Sequence, residues 1–297
     1  MGTPDFAVPS LEAINISDHQ LIGVVTAADK ERGRGREISF TPVKDYAIKN
    51  KIPVLQPEKL KDPKFIEIIK ALSPDLIIVI AFRILPKEIF EIPKYGTFNV
   101  HGSLLPKYRG AAPIQWSLIN GDTETGLTTF FIQAKVDTGN IILQKKIPID
   151  KEDNFGTLHD KLQFLSIDMV LETIKTIESG NVELLKQDES QVSSAPKITK
   201  ENSIIDWHQS GEKIYNLIRG LSPYPAAYFK HNSKSYKVFS SKIKDDLILQ
   251  PGEIVQTKNE IFIGTSTTAL EITEIQPEGR KRMKSDDFLR GYSLLKN

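Results

Sequence analysis

Hydrophobic and polar positions follow two different periods along the first two-thirds of the chain. Short runs rich in β-branched and aromatic residues predict strands at 20–27, 74–81 and 127–134. The second run is apolar on both faces, as a buried parallel strand is expected to be. Helical patterns lie between the strands, at 63–72 and 112–119. This alternation predicts an α/β domain with a doubly wound, Rossmann-like parallel sheet.

The pattern changes in the last third of the chain. A 3.6-residue apolar stripe from Leu158 to Ile177 predicts a long helix that closes the first domain, and Gly180 is a plausible stop. An amphipathic helix around Ile214–Leu221 then precedes five short alternating strands, which predict a small OB-like β-barrel. The expected organisation is a first domain at 1–180, a polar linker at 181–202 and a second domain at 203–297.

The N-terminal residues carry an unusual signal. Gly2, Thr3 and Pro4 are typical of the tight turn that follows a first strand, with a helix beginning near Pro4, yet no strand pattern precedes them. In a doubly wound sheet the first strand is central. We therefore expect the first strand to be missing from this sheet, with Met1 an internal methionine or the start of a shortened chain. The intact mass of the natively expressed protein tests this expectation.

The composition of the chain excludes several kinds of binding site and several classes of protein. The 297 residues carry a net charge of only +1, so no global field points to nucleic acid. No cysteine is present, which excludes disulfides and thiolate metal sites. The five histidines show no i, i+4 pairing, so no histidine-based zinc site is expected. The longest apolar run, 76–82, is too short for a bilayer and no signal peptide is seen. We expect a monomer in the bacterial cytoplasm, or in an organelle matrix if the source is eukaryotic, without a membrane partner.

The segment TFNVHGSLLPKYRG at 97–110 carries the first candidate chemistry. Asn99 and His101 are two residues apart in a strand and therefore share one face. Polar groups at the carboxyl end of a parallel strand lie where such sheets bind ligands. An amide donor beside an imidazole fits oxyanion stabilisation and proton transfer at a carbonyl carbon. The alternative is that both are ordinary loop residues with satisfied hydrogen bonds.

A carboxylate follows the third predicted strand. Asp137 lies in KVDTGNI and is positioned to orient His101 or to accept a proton from an attacking amine. The alternative is turn chemistry, because Asp-Thr-Gly is common in tight loops. The same three letters also suggest an aspartic protease, but that mechanism needs two facing carboxylates, and only one such motif occurs.

Two basic clusters suggest contact with phosphates. Residues 30–37, KERGRGRE, hold Arg32, Arg34 and Arg36 in a glycine-rich loop that is able to order on a phosphate backbone. Near the C-terminus Arg280, Lys281 and Arg282 form a second cluster, consistent with RNA binding. Solvated surface loops are the alternative for both clusters.

Motifs along the whole chain resemble one family. They are GTPDFAVPSL at 2–11, NVHGSLLPKYRGAAPIQW at 99–116, ETG at 124–126, DTG at 137–139, APKITKE at 195–201, RGLSPYPAAY at 219–228 and QPEGRKRMKSDDFLRG at 276–291. In this order they resemble the methionyl-tRNA formyltransferases of the folate-dependent formyltransferase superfamily. The missing first strand is the one departure, and it puts substrate affinity and stability in doubt.

The resemblance implies specific roles. It implies that 10-formyltetrahydrofolate gives its formyl group to the α-amino group of initiator methionyl-tRNA, without a metal. It makes Asn99, His101 and Asp137 the catalytic residues of the first domain. It places the folate site at Ser103, Leu104, Leu105 and Pro106. It implies that the loop around Arg34 and Arg36 meets the acceptor end of the tRNA, and that the second domain binds the acceptor arm.

Other functions remain open at this point. An amino-sugar nucleotide formyltransferase of the same fold would share Asn99, His101 and Asp137. A glycinamide-ribonucleotide formyltransferase would resemble only the first domain. A non-catalytic RNA-binding module would explain the basic clusters but would leave these three residues without a purpose.

Overall fold

The computed structural model describes residues 1–32 and 37–295. The chain divides into two compact units. Unit 1 contains Met1–Pro113, Gly126–Ile147 and His159–Ala195, and unit 2 contains Ile114–Thr125, Pro148–Leu158 and Pro196–Asn297. The domain boundaries expected from the sequence stay a prediction.

Among the described residues, ten strands and six α-helices come first. The strands are β1 (Val24–Val25), β2 (Lys30–Arg32), β3 (Glu37–Ser39), β4 (Val54–Leu55), β5 (Ile77–Ile80), β6 (Thr97–His101), β7 (Arg109–Gly110), β8 (Glu124–Phe131), β9 (Ile141–Pro148) and β10 (Ser194–Ala195). The helices are α1 (Val8–Ile16), α2 (Pro42–Lys49), α3 (Pro63–Leu72), α4 (Lys87–Phe90), α5 (Pro113–Ile119) and α6 (Phe155–Glu178).

The sheet of unit 1 is mixed. Strands β5 and β6 are parallel, β1 and β4 are parallel, and the larger sheet has the order β5-β6-β8-β9. Strand β8 runs antiparallel to β6, with Phe98 opposite Phe131 and His101 opposite Thr128. The α/β prediction is therefore confirmed, but the sheet is not purely parallel as expected. The C-terminal end of β8 lies beside the start of β6 and not beside His101.

Met1 and Gly2 lie between β1 and β5. The Gly2 N–H donates to the Val25 carbonyl (3.0 Å), and Gly2 forms a parallel bridge with Ile80, whose N–H donates to Met1 (2.9 Å). A cavity of about 550 Å³ adjoins them, lined by residues of both neighbouring strands. This position between the two strands is the one that a central first strand takes in a doubly wound sheet.

Helix boundaries follow local sequence signals. Helix α3 matches the predicted 63–72, because Asp62 caps it by accepting from the Lys64 N–H and Ser73 ends it at φ +46°. Helix α6 is the predicted long helix, and Gly180 beyond it has φ +70°. Strand β1 is much shorter than the predicted run 20–27. Its partner β4 carried no recognisable pattern.

The segment 181–202, expected to be a linker, forms specific contacts up to residue 195. Leu185 pairs with Ile141 through two backbone hydrogen bonds of 2.8 and 3.0 Å. Strand β10 pairs in parallel with β7, so that Ser194 lies beside Arg109. This part of the chain is therefore built into unit 1.

The C-terminal segment of unit 2 forms a small antiparallel β domain that also contains two α-helices. Its elements are α7 (Gly211–Leu221), β11 (Ala227–His231), β12 (Lys234–Lys244), β13 (Ile254–Gln256), β14 (Ile261–Gly264), β15 (Ala269–Pro277), β16 (Met283–Lys284) and α8 (Ser285–Gly291). The strand order is β11-β12-β15-β14-β13, with β16 paired to β15. A register shift at Ser240 bends the long β12–β15 pair.

The core of unit 2 confirms the predicted amphipathic helix. Ile214, Ile218 and Leu221 are 2% exposed or less and pack in one cluster with strand residues such as Val238 and Ile272. The predicted small C-terminal β domain is thus confirmed. In the described part of the chain, no helix combines the length and the apolar character needed to cross a membrane.

Candidate active site

His101 is the last residue of β6, and its ring is buried. Its Nε2 lies 2.9 Å from the carbonyl oxygen of Tyr108. A carbonyl only accepts, so this hydrogen bond assigns the proton of the neutral ring to Nε2. In the neutral ring, Nδ1 then presents a lone pair. It faces Asp137, whose Oδ2 lies 3.9 Å away.

Asp137 lies in the long turn between β8 and β9. Because β8 ends beside the start of β6, this turn must fold back for its carboxylate to reach His101. Asp137 has φ +54°, and its Oδ2 accepts a hydrogen bond of 2.8 Å from the Gly110 N–H. Its side chain is only 14% exposed. The structure thus brings the predicted imidazole and carboxylate together, by a route that strand order alone did not indicate.

Asn99 shares the sheet face of His101. The two residues alternate along β6 with the buried Val100 between them, and Asn99 is partly exposed. Its amide is thus placed to donate a hydrogen bond to a group bound on that face. An imidazole lone pair, a carboxylate and an amide suit a reaction in which a proton leaves an amine while an oxyanion develops.

The four residues predicted for the folate site divide into two groups. Ser103 is fully buried and donates to the Lys107 carbonyl (2.6 Å), and Leu105 is 3% exposed in a cluster with Phe130 and Ile141. Leu104 and Pro106 are partly exposed, and the Leu105–Pro106 peptide bond is cis. The first two side chains are therefore buried within the segment, whereas the other two keep part of their surface accessible.

A threonine on β8 supports this segment. The Thr128 hydroxyl donates to the Ser103 carbonyl (2.7 Å) and accepts from the Leu105 N–H (3.0 Å) and from Gln144 (2.9 Å). Gln144 also donates to the Leu105 carbonyl (2.8 Å). Sequence analysis missed both residues, because nothing in a strand pattern marks a side chain that bonds to a distant loop.

Sequence patterns did not mark Tyr108 and Gly110 as site residues, although both lie in the motif at 99–116. Tyr108 has φ +63°, and its N–H donates to the Ser193 hydroxyl (2.9 Å). Gly110 has φ +129°, and a Cβ there would lie 2.5 Å from the Ala195 carbonyl oxygen. The Gly110 position therefore requires glycine, and its N–H is directed to the carboxylate of Asp137.

The basic residues predicted to contact tRNA are placed as follows. Arg32 ends β2, which pairs with β3 in a hairpin where a loop was expected, while Arg34 and Arg36 lie outside the described residues. Arg280, Lys281 and Arg282 are exposed in the turn between β15 and β16. Arg282 forms an ion pair with Glu274 and lies over the Phe239 ring, 4.5 Å from its centroid.

Across residues 1–32 and 37–295, no three His, Asp or Glu side chains group in a way that could hold a metal ion. The cavity of about 550 Å³ beside Met1 is not lined by Asn99, His101 or Asp137. The candidate site is therefore defined by its hydrogen bonding. A second cavity of about 580 Å³ is lined by Ala134, three residues before Asp137 in the same turn.

Comparison with known families defines the class of this fold and site. Residues 1–174 match the family model described as formyl transferase, and residues 197–293 match its C-terminal domain. The chain belongs to the formyl transferase family. This confirms the resemblance seen in the motifs and identifies the chain as an enzyme.

Two relatives at high identity are both named methionyl-tRNA formyltransferase. A methionyl-tRNA formyltransferase from Flavobacterium johnsoniae is 46% identical over 300 residues, which cover 99% of this chain and 95% of that protein. The methionyl-tRNA formyltransferase from Bacillus subtilis is 44% identical over 295 residues, covering 98% and 93%.

Solved structures show the same fold at low identity. A methionyl-tRNA formyltransferase from Clostridium thermocellum has a TM-score of 0.52 at 21% identity, over 72% of this chain and 92% of that one. The sugar 3N-formyltransferase WlaRD has a TM-score of 0.70 at 22% identity, over 94% and 97%. At such identities these similarities concern the fold alone.

Proposed function

We propose that this protein transfers the formyl group of 10-formyltetrahydrofolate to the α-amino group of methionyl initiator tRNA. The two relatives described above, which are 46% and 44% identical over nearly the whole chain, are named for this substrate. A folate donor is supported by structural neighbours, since WlaRD was crystallised with 5-N-formyl-THF and HypX from Aquifex aeolicus with tetrahydrofolic acid.

The observation that carries the mechanism is the facing pair of His101 and Asp137. With the ring proton on Nε2, Nδ1 and Oδ2 are both acceptors, 3.9 Å apart. Two acceptors do not bond to each other, so the arrangement suits a proton-bearing group that approaches both, such as an attacking amine. The neutral α-amine forms a bond to the formyl carbon, and its proton leaves towards this pair.

The remaining bond changes take place at the tetrahedral formyl carbon. As the carbon–nitrogen bond forms, the formyl oxygen becomes an oxyanion, to which Asn99 donates a hydrogen bond. A His101 ring that has taken the amine proton on Nδ1 becomes a second donor, and the Asp137 carboxylate compensates its charge. The bond between the formyl carbon and the folate nitrogen then breaks, and that nitrogen takes up the proton.

The donor would lie against the segment 103–106, where Leu104 and Pro106 are partly exposed. The cavity of about 580 Å³ suits a part of the folate that lies beyond the formyl group. Its lining combines apolar side chains with four cations and no acid: Lys59, Leu60, Lys61, Arg83, Ile84, Leu85, Pro86, Lys87, Phe90 and Ala134. An aromatic ring system with an anionic glutamate tail is complementary to such a surface.

The tRNA would be bound through the two basic clusters, one of Arg32, Arg34 and Arg36 and the other of Arg280, Lys281 and Arg282. Each phosphate contact made by such a residue adds affinity that falls with salt. Arg282 already pairs with Glu274, so its contribution is expected to be smaller than that of its neighbours.

The test is formyl transfer by the purified protein from 10-formyltetrahydrofolate to methionine-charged initiator tRNA. We expect turnover with the charged tRNA and none with uncharged tRNA. A dTDP-linked amino sugar serves as the second acceptor, because a sugar formyltransferase shares the fold. Transfer to the amino sugar in preference to the charged tRNA would contradict the proposal. Binding of the tRNA without any transfer would instead favour a non-catalytic module.

A further inference from the structure

Gln187 lies in the segment between α6 and β10 that sequence patterns left without a role. It is 4% exposed, an unusual burial for a glutamine. Buried amides of this kind are retained where their hydrogen bonds are satisfied. The partners of Gln187 lead directly to the candidate active site.

All four hydrogen-bonding positions of the Gln187 amide are used. Its Nε2 donates to the carbonyl oxygens of Asp137 (2.9 Å) and Gly139 (2.8 Å). Its Oε1 accepts from Nε (3.0 Å) and Nη2 (2.7 Å) of Arg109. Because a guanidinium only donates and carbonyls only accept, the amide has one permitted orientation.

The turn that receives these hydrogen bonds has little freedom. Asp137 has φ +54°, and Gly139 is so close to Phe131 that an added Cβ would lie 1.6 Å from its carbonyl oxygen. A non-glycine residue with positive φ is maintained only when its surroundings determine it. Gln187 supplies two of these determinants, because its amide donates to the backbone carbonyls of Asp137 and Gly139.

We propose that Gln187 is a positioning residue for the Asp137 carboxylate, an inference that rests on the proposed function. By bonding to the backbone on both sides of Thr138, it places Oδ2 where the Gly110 N–H and His101 Nδ1 converge. Arg109 in turn holds the amide, and Glu189 holds Arg109 with a contact of 2.7 Å. The Arg109 hydrogen bond lowers the pKa of Glu189.

The variant Gln187→Met tests this, because it keeps the length of the side chain and removes both donors. Displacing a catalytic group by about 1 Å costs up to about 100-fold in rate. We therefore expect kcat to fall about 10- to 100-fold while both KM values change by less than about threefold. Gln191→Met makes the same substitution at an exposed glutamine of the same segment, whose Nε2 donates to Asp188 (2.9 Å), and this matched control is expected to retain the wild-type kcat.

A double variant separates positioning from general damage. If Gln187 acts through the carboxylate, adding Gln187→Met to Asp137→Asn lowers kcat no further. Wild-type kcat in Gln187→Met, or a full further loss in the double variant, would overturn the inference. Should the methionine variant fail to fold, Gln187→Glu keeps an acceptor for Arg109 without the two donors, and the same fall in kcat is expected.

Hydrogen exchange gives a readout that does not depend on the acceptor substrate. The Gly110 amide donates to Asp137 Oδ2, so its protection is expected to fall in Gln187→Met and to stay unchanged in Gln191→Met. If the wild-type protein does not formylate charged tRNA but this protection falls, the proposed function fails and the positioning role stands. Unchanged protection in an active protein overturns the positioning role alone.

Discussion

His101 and Asp137 form one site, but two different kinds of structure bring them there. His101 ends a buried strand whose hydrogen-bonded neighbours on both sides determine its position. Asp137 lies in a long turn at positive φ, where hydrogen bonds from Gly110 and Gln187 fix it. The strand residue depends on local register, whereas the turn residue depends on segments 27 and 50 residues away along the chain.

Because of this difference, we expect substitutions to inactivate the site in two ways. A substitution at His101 removes a reacting group but leaves the strand ladder in place. The carboxylate of Asp137 can be displaced from the site without a substitution at Asp137. A change in any hydrogen bond that holds the backbone of its turn would be enough. We therefore expect effects on turnover to be largest at the reacting groups, and smaller where only a supporting hydrogen bond is removed.

The largest effect is expected from His101→Ala. Removing one group that stabilises the oxyanion typically lowers kcat about 100- to 1,000-fold. Asp137→Asn keeps an acceptor for the Gly110 N–H, so it tests the charge of the turn residue separately. Single-turnover formyl transfer measures both variants, with the partly exposed His19→Ala as the control that should retain the wild-type rate. Near-normal turnover in His101→Ala would remove the imidazole from the mechanism.

A smaller effect is expected from Thr128→Val. This variant tests how strand β8 supports the segment 103–106 through the Thr128 hydroxyl. The valine has nearly the same shape but leaves the buried Leu105 N–H without its partner, at a cost of about 1–3 kcal/mol in the free energy of unfolding. Urea denaturation measures this cost, and the KM for the folate donor should rise because segment 103–106 loosens.

Thr129→Val is the matched control for this prediction. Thr129 is equally buried and accepts a hydrogen bond from Thr173 instead (3.0 Å). It should lower stability without changing the KM for the donor. Equal KM changes in both variants would show that the two sides of β8 do not differ in this respect.

The smallest expected effect is on stability, and it comes from the carboxylate of the loop residue Asp29. Hydrogen bonds from Gln56 and Lys44 lower the pKa of Asp29 below its ordinary 3.8. Because the folded-state pKa is the lower one, the ionised group stabilises the fold above pH 3.8, and this contribution is lost as the pH falls through the lowered value. The melting temperatures of wild type and Asp29→Asn should therefore converge in acid. A difference independent of pH would contradict a charge-based contribution.

The sequence predicted the elements whose signals are local. Helix α3 has its cap at Asp62, helix α6 has a continuous apolar stripe, and α7 has one apolar face. Strand β8 was also found, but not its direction, because alternation along one strand does not tell which neighbour it pairs with or how. Very short strands such as β4 and β10 have no pattern of their own and exist through pairing.

The sequence by itself determined the residue types of the site and the two-part fold, because periodicity and the motif around Asn99 and His101 are properties of adjacent residues. Only the tertiary structure decided that the turn after an antiparallel strand returns to His101. It also decided that Gln187, in a stretch without periodicity, bonds to the backbone of Asp137. Hydrogen bonds between segments 50 residues apart depend on how the chain packs, and no local pattern encodes them.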